Sequence, residues 1–182
     1  AGIAAAVFAV EAIQRAGLRH TAPIEVSGTV DEESGGFAGV AWLAENRLLS
    51  RERTKAVIIP EPFGVDRVCV GHRGVYCFEV IAAGRIAHGS MPYLGINAID
   101  GMSHLLDLVR DELGPALFGR VTTMPVVPEG SRHATINING IDGGQPIDDT
   151  PSPCVADRCR VVFDRRFLME EGLERTRAEI AA

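Results

Sequence analysis

The chain has 182 residues, of which 46% are hydrophobic and 23% charged, and its formal net charge is −6. This composition is typical of a globular protein with a core and excludes disordered and fibrous classes. The acidic balance and the absence of a long basic run argue against nucleic acid or an anionic membrane as a partner. The apolar start, residues 1–10, is too short to span a bilayer and lacks a basic leader, so we expect a cytoplasmic protein.

The first part of the chain is predicted to alternate helices and strands. Residues 3–18 have apolar side chains at helical spacing, and residues 37–49 repeat that pattern. Residues 24–30 alternate and are rich in β-branched side chains, and residues 56–59 form a short apolar run, so both are predicted strands. Helices and strands in this order predict an α/β layer with a parallel sheet. Because the chain begins within a helical pattern, we expect it to be part of a longer protein.

The second part is predicted to be a different domain. Its order of strand, helix, strands and helix favours an α+β two-layer sandwich on an antiparallel sheet. We place the division between domains 1–66 and 67–182. The predicted strands are 75–81, 85–88, 121–127, 135–141 and 159–163, and the predicted helices are 96–113 and the residues from 170 onward.

Cys69, Cys77, Cys154 and Cys159 show no CxxC spacing. This argues for buried or half-buried thiols rather than a zinc site or disulfides.

The most informative feature is an acidic turn that directly follows the first predicted strand. Glu32 and Glu33 are adjacent there, and the turn ends in Gly35 and Gly36, which allow close approach of the backbone to a ligand. Glu61 follows the next predicted strand, between two prolines. Neighbouring carboxylates at strand ends repel each other unless a cation or a raised pKa relieves them, so a metal site is one interpretation. The other is that these acids are solvated and cap the next helix.

Several motifs in series then indicate a family. Together they cover nearly the whole chain, and their order and gaps resemble the family of zinc metallopeptidases that includes acetylornithine deacetylase, succinyl-diaminopimelate desuccinylase and the aminoacylases. The motifs are Thr29-Val-Asp-Glu-Glu-Ser-Gly-Gly36, Ile59-Pro-Glu-Pro62, Gly71-His-Arg-Gly74, the segment from Gly84 to Ile99, Thr135-Ile-Asn-Ile-Asn-Gly-Ile-Asp-Gly-Gly144 and Asp164-Arg-Arg166.

The resemblance implies a partial catalytic domain followed by a nearly complete dimerisation (lid) domain, a homodimer, and two divalent metal ions. Zinc is expected first, with cobalt or manganese as alternatives. By this match Glu32 is the general base, while Glu33 and Glu61 are metal ligands. His88 would reach across a dimer interface to steady the substrate or its oxyanion. Substrate binding is assigned to Arg166, which matches a position that contacts the substrate carboxylate, and to Asn97, whose expected main role is to fix its loop.

The implied reaction is cleavage of the amide in an N-acyl amino acid or a small peptide. The family's His-x-Asp motif and its last histidine ligand are absent from this chain, so we expect weak metal binding and no turnover from it alone. The segment 151–159 also departs from the family, because Pro153 or Ser152 stands near a position where relatives carry a substrate-contacting asparagine. Two alternatives remain: a non-catalytic dimerisation or peptide-binding module of the same fold, and an N-carbamoyl amino acid amidohydrolase.

Overall fold

The computed structural model describes residues 1–34, 37–61, 64–145 and 153–182. The chain forms two compact units, Ala1–Val70 and Gly71–Ala182. The division predicted after residue 66 lies a few residues upstream of this boundary. In the part of the chain that the structure describes, no helix combines the length and apolar character needed to cross a bilayer.

Both predicted helices of the N-terminal unit are present, and both are shorter than predicted. Helix α1 is Gly2–Arg15 and helix α2 is Ala38–Glu45. The chain leaves α1 through Gly17, which has a φ of +64°. That left-handed conformation suits a helix C-terminus and favours glycine.

The two strands predicted for this unit, 24–30 and 56–59, are not formed, although both segments lie within the described residues. Those two strand predictions are therefore wrong for this structure. Ile58 is 89% exposed and Ile59 is 70% exposed, so the apolar run meets no covering layer. A strand exists only when a neighbour pairs with its N–H and C=O groups. No parallel sheet is therefore formed by the described residues of this unit, and the partial parallel-sheet catalytic domain stays a prediction.

The C-terminal unit contains three strands and three α-helices among the described residues. The first strand, β1, is Gly74–Ala83. A continuous helical stretch follows, made of α3 (Ala98–Leu108), a π-helical turn (Val109–Leu113) and α4 (Gly114–Phe118). The remaining elements are β2 (Thr135–Gly143), β3 (Arg158–Phe167), α5 (Leu173–Ala181) and two short 3₁₀ turns (Pro92–Leu94 and Glu129–Arg132).

The three strands form one antiparallel sheet in the order β1-β3-β2, which confirms the predicted antiparallel α+β architecture. A β-bulge interrupts the β2–β3 register between Ile138 and Gly140. The strands predicted at 85–88 and 121–127 are wrong, because these segments contribute only isolated bridges. Each is confined to one or two paired residues by the turns and prolines that surround it.

The core lies between one face of the sheet and the helices. In β1 the inward side chains alternate with exposed ones, as a strand with one covered face requires. Phe163 of β3 is 1% exposed and stacks on Phe78 with 5.1 Å between ring centroids. Met102 of α3 and Val161 of β3 complete the same cluster. A second cluster joins α4 to the end of the sheet through Leu117, Ala134 and Leu168.

An ionic network is buried beside this core, and sequence patterns did not predict it. Arg165 is 0% exposed, although it follows the outward-facing Asp164 in a charged run. It pairs with Glu171, which also accepts hydrogen bonds from Arg120 at 2.7 Å and from the Leu168 amide at 2.7 Å. Glu179 of α5 accepts from Arg120 at 2.9 Å. The network ties α5 to the sheet and to the segment after α4.

Candidate functional site

The acidic turn is held by contacts within itself. Asp31 has a φ of +70°, a conformation uncommon outside glycine but tolerated by Asp. The Ser34 hydroxyl contacts the Asp31 carboxylate and lies 3.2 Å from its carbonyl oxygen. Glu32 and Glu33 between them are exposed. The turn therefore presents two neighbouring carboxylates to solvent, while Gly35 and Gly36 lie outside the described residues.

The helix that follows the turn shows that these acids are not its cap. Residue Phe37 occupies the N-cap position of α2, makes no side-chain cap, and no acidic residue lies in the first turn. The interpretation of Glu32 and Glu33 as capping residues is therefore not supported. Gly39 brings α2 against the end of the preceding segment, since a Cβ there would lie 2.7 Å from the Val30 amide nitrogen. This contact sets the turn directly beside the helix start.

Glu61 ends the apolar run 56–59 and is exposed. Its neighbour Pro60 packs against the start of α1, where a Cβ on Gly2 would lie 2.9 Å from the proline ring. The second flanking proline, Pro62, lies outside the described residues. Within residues 1–34, 37–61, 64–145 and 153–182, no three His, Cys, Asp or Glu side chains are grouped as metal ligands would be. The metal-ligand roles of Glu33 and Glu61 therefore stay predictions, and no catalytic step through a metal follows from the described residues.

His88 lies in a tight turn that backbone pairing fixes. His88 forms an isolated antiparallel β-bridge with Cys154. Two backbone hydrogen bonds flank it: the Gly89 amide donates to the Pro153 carbonyl at 2.5 Å, and the Val155 amide donates to the Ala87 carbonyl at 2.8 Å. Its Nδ1 atom lies 2.8 Å from the Ser90 hydroxyl and 3.2 Å from the Ser90 amide nitrogen. The ring is exposed. The imidazole is therefore anchored at one nitrogen and open at the other.

Asn97 caps α3. Its side-chain oxygen accepts a hydrogen bond from the Ile99 amide at 2.9 Å, and its backbone is extended, as is usual for an N-cap residue. The local role expected for Asn97 is thus present in the structure. Its contact with substrate stays a prediction.

Arg166 lies on the sheet face opposite the core and forms a two-point ion pair. Its Nε and Nη2 atoms each donate to Asp164, both at 2.7 Å, and these bonds raise the pKa of Arg166. The observed partner of Arg166 is thus Asp164, and its contact with a substrate carboxylate stays a prediction. A guanidinium engaged in this way keeps an Nη1 group for a further acceptor.

A second guanidinium close to Arg166 was not identified from the sequence. Arg73 donates to the His133 carbonyl at 2.8 Å. The pKa of Arg73 is lowered, mainly by burial and to a smaller extent by repulsion from Arg166. The attraction of Asp164 opposes these two effects but does not outweigh them. Two positive side chains, Arg73 and Arg166, thus act on the one carboxylate of Asp164. Arg73 belongs to the motif Gly71-His-Arg-Gly74, which could have drawn attention to it. Hydrophobic periodicity alone does not show which face of the sheet this arginine occupies.

An open groove of about 620 Å³ lies elsewhere on the C-terminal unit. It is lined by the π-helical turn, α4 and β2, and its apolar side chains are Val109, Pro115, Phe118, Ile136 and Ile138. None of the candidate catalytic or metal-binding residues lines this groove, so it is not a substrate pocket built from them.

Comparison with known proteins gives a consistent family. Residues 70–182 match the family model described as the peptidase dimerisation domain of the M20 group. A probable carboxypeptidase of Aspergillus niger is 32% identical over 161 residues, covering 86% of this chain and 36% of that protein. A probable carboxypeptidase of Aspergillus terreus is 34% identical over 158 residues, covering 85% of this chain and 34% of that protein. The chain thus spans about a third of the length of these curated relatives. The crystal structure of aminopeptidase PepT from Bacillus cereus aligns with 99% of this chain and 41% of its own, at 21% identity and a TM-score of 0.46.

Proposed function

Since the chain belongs to the M20 family of metallopeptidases, we propose that it is a segment of a hydrolase that cleaves the amide bond of small peptides or N-acyl amino acids. The observation that carries this proposal is the match of residues 70–182 to the peptidase dimerisation domain, preceded in the same chain by the carboxylates Glu32, Glu33 and Glu61. The probable carboxypeptidases among its relatives favour a peptide over an N-carbamoyl substrate.

In this proposal the carboxylates act within the longer protein. Glu33 and Glu61 would hold divalent metal ions, zinc first among them, and such ions activate water and polarise carbonyl groups. Glu32, exposed beside Glu33, would accept a proton from the attacking water and pass it to the leaving amine. Because no three possible ligands are grouped among the described residues of this chain, the metal belongs to the proposal for the longer protein.

The C-terminal unit would supply the groups that recognise substrate oxygen atoms. The open nitrogen of His88 would donate to the oxygen on which negative charge develops, a contact that is often worth about 3 kcal/mol in the transition state. Arg166 would bind the carboxylate of the substrate, with Asp164 fixing the direction of its guanidinium.

We also propose that two copies of the chain associate through β2. This strand is an edge of the sheet among the described residues, and it carries no lysine, arginine or proline that would blunt the edge. The apolar groove lies beside it, with Phe118 and Ile138 exposed. A two-fold interface buries the same patch twice, so Ile138→Lys should weaken association markedly in sedimentation equilibrium. A dimer unaffected by this change would place the interface elsewhere.

The test of the proposed reaction uses the complete protein, prepared without metal and then supplied with zinc, cobalt or manganese. Turnover of dipeptides, N-acyl amino acids and N-carbamoyl amino acids is measured for each metal. Glu32→Ala should lower kcat by at least about a hundredfold while bound metal, measured by elemental analysis, is retained. Glu33→Ala and Glu61→Ala should lose metal, and Glu45→Ala, an exposed acid of the same unit, should change neither. Loss of metal in Glu32→Ala would reverse the assignment of base and ligand.

A second candidate function is a dimerisation module without chemistry. It is favoured by the dimerisation-domain match and by the absence of a grouped ligand set among the described residues. The same assay separates the two, because a non-catalytic complete protein would hydrolyse no member of the substrate panel at any metal concentration.

A further inference from the structure

The hydrogen bonds at Nδ1 of His88 determine which nitrogen of the ring carries the proton. The Ser90 backbone amide points at Nδ1 from 3.2 Å, and the Ser90 hydroxyl lies 2.8 Å from the same atom. A backbone N–H can only donate, so Nδ1 must act as the acceptor. The hydroxyl can donate to the same lone pair, and both Ser90 groups then favour an unprotonated Nδ1.

A neutral imidazole has one N–H, so a ring that accepts at Nδ1 must donate at Nε2. We propose that Ser90 is a positioning residue that holds His88 as the Nε2–H tautomer, with its single N–H directed to the open side of the ring. The ligand suited to this donor is an oxygen that is gaining negative charge, such as the carbonyl oxygen of an amide under attack. This reading of the ligand rests on the proposed function, whereas the tautomer itself does not.

The backbone around His88 fixes the position of Ser90 relative to the imidazole ring. The two flanking bonds to residues 153 and 155 leave His88 and Cys154 as a non-hydrogen-bonded pair, the closer of the two antiparallel arrangements. The Met91 amide donates to the His88 carbonyl at 2.8 Å, which closes the turn that carries Ser90. A Cβ on Gly89 would lie 2.9 Å from the Pro153 carbonyl oxygen, so only glycine allows this approach. Ser90 is thereby held at a fixed distance from the ring.

Two other histidines of the chain have the opposite arrangement and provide internal controls. Nδ1 of His133 lies 2.6 Å from the Phe118 carbonyl oxygen, and Nδ1 of His20 lies 2.7 Å from the Ala22 carbonyl oxygen. A carbonyl oxygen can only accept, so these two rings must carry a proton on Nδ1. One sequence therefore contains both tautomers, and the difference follows from the partner of Nδ1 alone.

Long-range ¹H–¹⁵N correlation spectra of the histidine-labelled chain test this directly, at a pH above the titration range of histidine. We expect His88 to appear as the Nε2–H tautomer and His133 as the Nδ1–H tautomer. A short unfolded peptide spanning residues 84–94 gives the ratio of tautomers without the fold. Ser90→Ala should lower the ratio of Nε2–H to Nδ1–H at His88 about fivefold toward the peptide value, the factor that one neutral hydrogen bond ordinarily sets. Ser90→Thr, which keeps the hydroxyl, should retain the wild-type ratio.

His133 serves as the check on folding, since its spectrum should be the same in every variant. The proposal is overturned by an Nδ1–H tautomer at His88 in the wild type, or by a Ser90→Ala spectrum identical to the wild type. The measurement needs no substrate and no metal. If the tautomer is as inferred but His88→Ala leaves kcat of the complete protein unchanged, the role of His88 in the proposed function fails and the role of Ser90 in setting the tautomer stands.

Discussion

The N-terminal and C-terminal units contain similar apolar patterns but bury them to different extents. All the fully buried apolar side chains among the described residues lie in the C-terminal unit, where β1, β2 and β3 pair and α3 and α4 cover one face. In the N-terminal unit, apolar residues such as Ile58 and Val30 stay exposed. An apolar run thus favours burial of its segment, but other segments must supply the side chains that cover it. The C-terminal unit has that layer.

The largest effect that tests this contrast comes from truncating one apolar side chain in each unit. Phe163→Ala removes a ring that is 1% exposed and should cost about 4 kcal/mol of unfolding free energy, from lost burial and the cavity left behind. Ile58→Ala, at a position 89% exposed, should change the unfolding free energy by less than about 0.5 kcal/mol. Urea denaturation followed by circular dichroism measures both. A large loss in Ile58→Ala would show that the N-terminal unit has a core of its own.

A smaller loss is expected from breaking the ionic network of the C-terminal unit. Glu171→Ala leaves the buried Arg165 guanidinium without its nearest carboxylate, at a cost of about 3 kcal/mol. The matched control is Glu174→Ala, which removes an exposed carboxylate 3.8 Å from Arg177 and should have almost no effect. The same denaturation measurement applies. An equally small loss of unfolding free energy in Glu171→Ala and Glu174→Ala would mean that water reaches the Arg165 guanidinium.

The N-cap of α3 should give a loss of about 1 kcal/mol. Asn97→Ala removes the acceptor for the Ile99 amide, whereas Asn97→Asp keeps an acceptor at that position and should be close to neutral. If Asn97 also touches substrate, Asn97→Asp would raise KM of the complete protein without changing stability. Stability that does not change in Asn97→Ala would contradict the capping role.

The smallest effect concerns the dependence of stability on pH. Burial opposes ionisation of Glu171, but the Leu168 amide and the guanidinium groups outweigh it and lower its pKa. The hydrogen bond from Arg120 is the largest cause that lowers the pKa of Glu179. A lowered folded-state pKa gives stability that is complete above the ordinary glutamate value of 4.5 and is lost as pH falls through the folded-state values. Glu179→Gln should reduce the slope of unfolding free energy against pH in that acidic range, and an unchanged slope would contradict the assignment.

The two units also differ in how much of their secondary structure could be predicted from the sequence. In the C-terminal unit, alternation in β1 and β3 and helical spacing in α3 predicted the antiparallel architecture, because the partners of those segments lie in the same unit. The strands predicted at 24–30 and 56–59 failed because strand propensity says nothing about the presence of a neighbour. The burial of Arg165 was missed for a related reason, since a charged run on a strand does not show which face is covered.

The candidate site follows the same division. Asn97 and Arg166 were identified from motifs, and their local partners, Ile99 and Asp164, are near in sequence. Arg73 and Ser90 were not identified, because their importance depends on the groups they approach in the fold. The roles of Glu32, Glu33 and Glu61 remain predictions, because no three possible metal ligands are grouped among the described residues.

Hydrogen exchange of the 182-residue chain, read by mass spectrometry at peptide resolution, tests the central contrast most directly. Amides of β3, the central strand, should exchange at least about a hundredfold more slowly than those of residues 24–30 and 56–59, because β3 is paired on both sides whereas those two segments belong to no strand. Comparable protection in residues 24–30 or 56–59 would show that the N-terminal unit forms its own sheet, and would contradict the conclusion that the paired and covered strands of the described residues lie in the C-terminal unit.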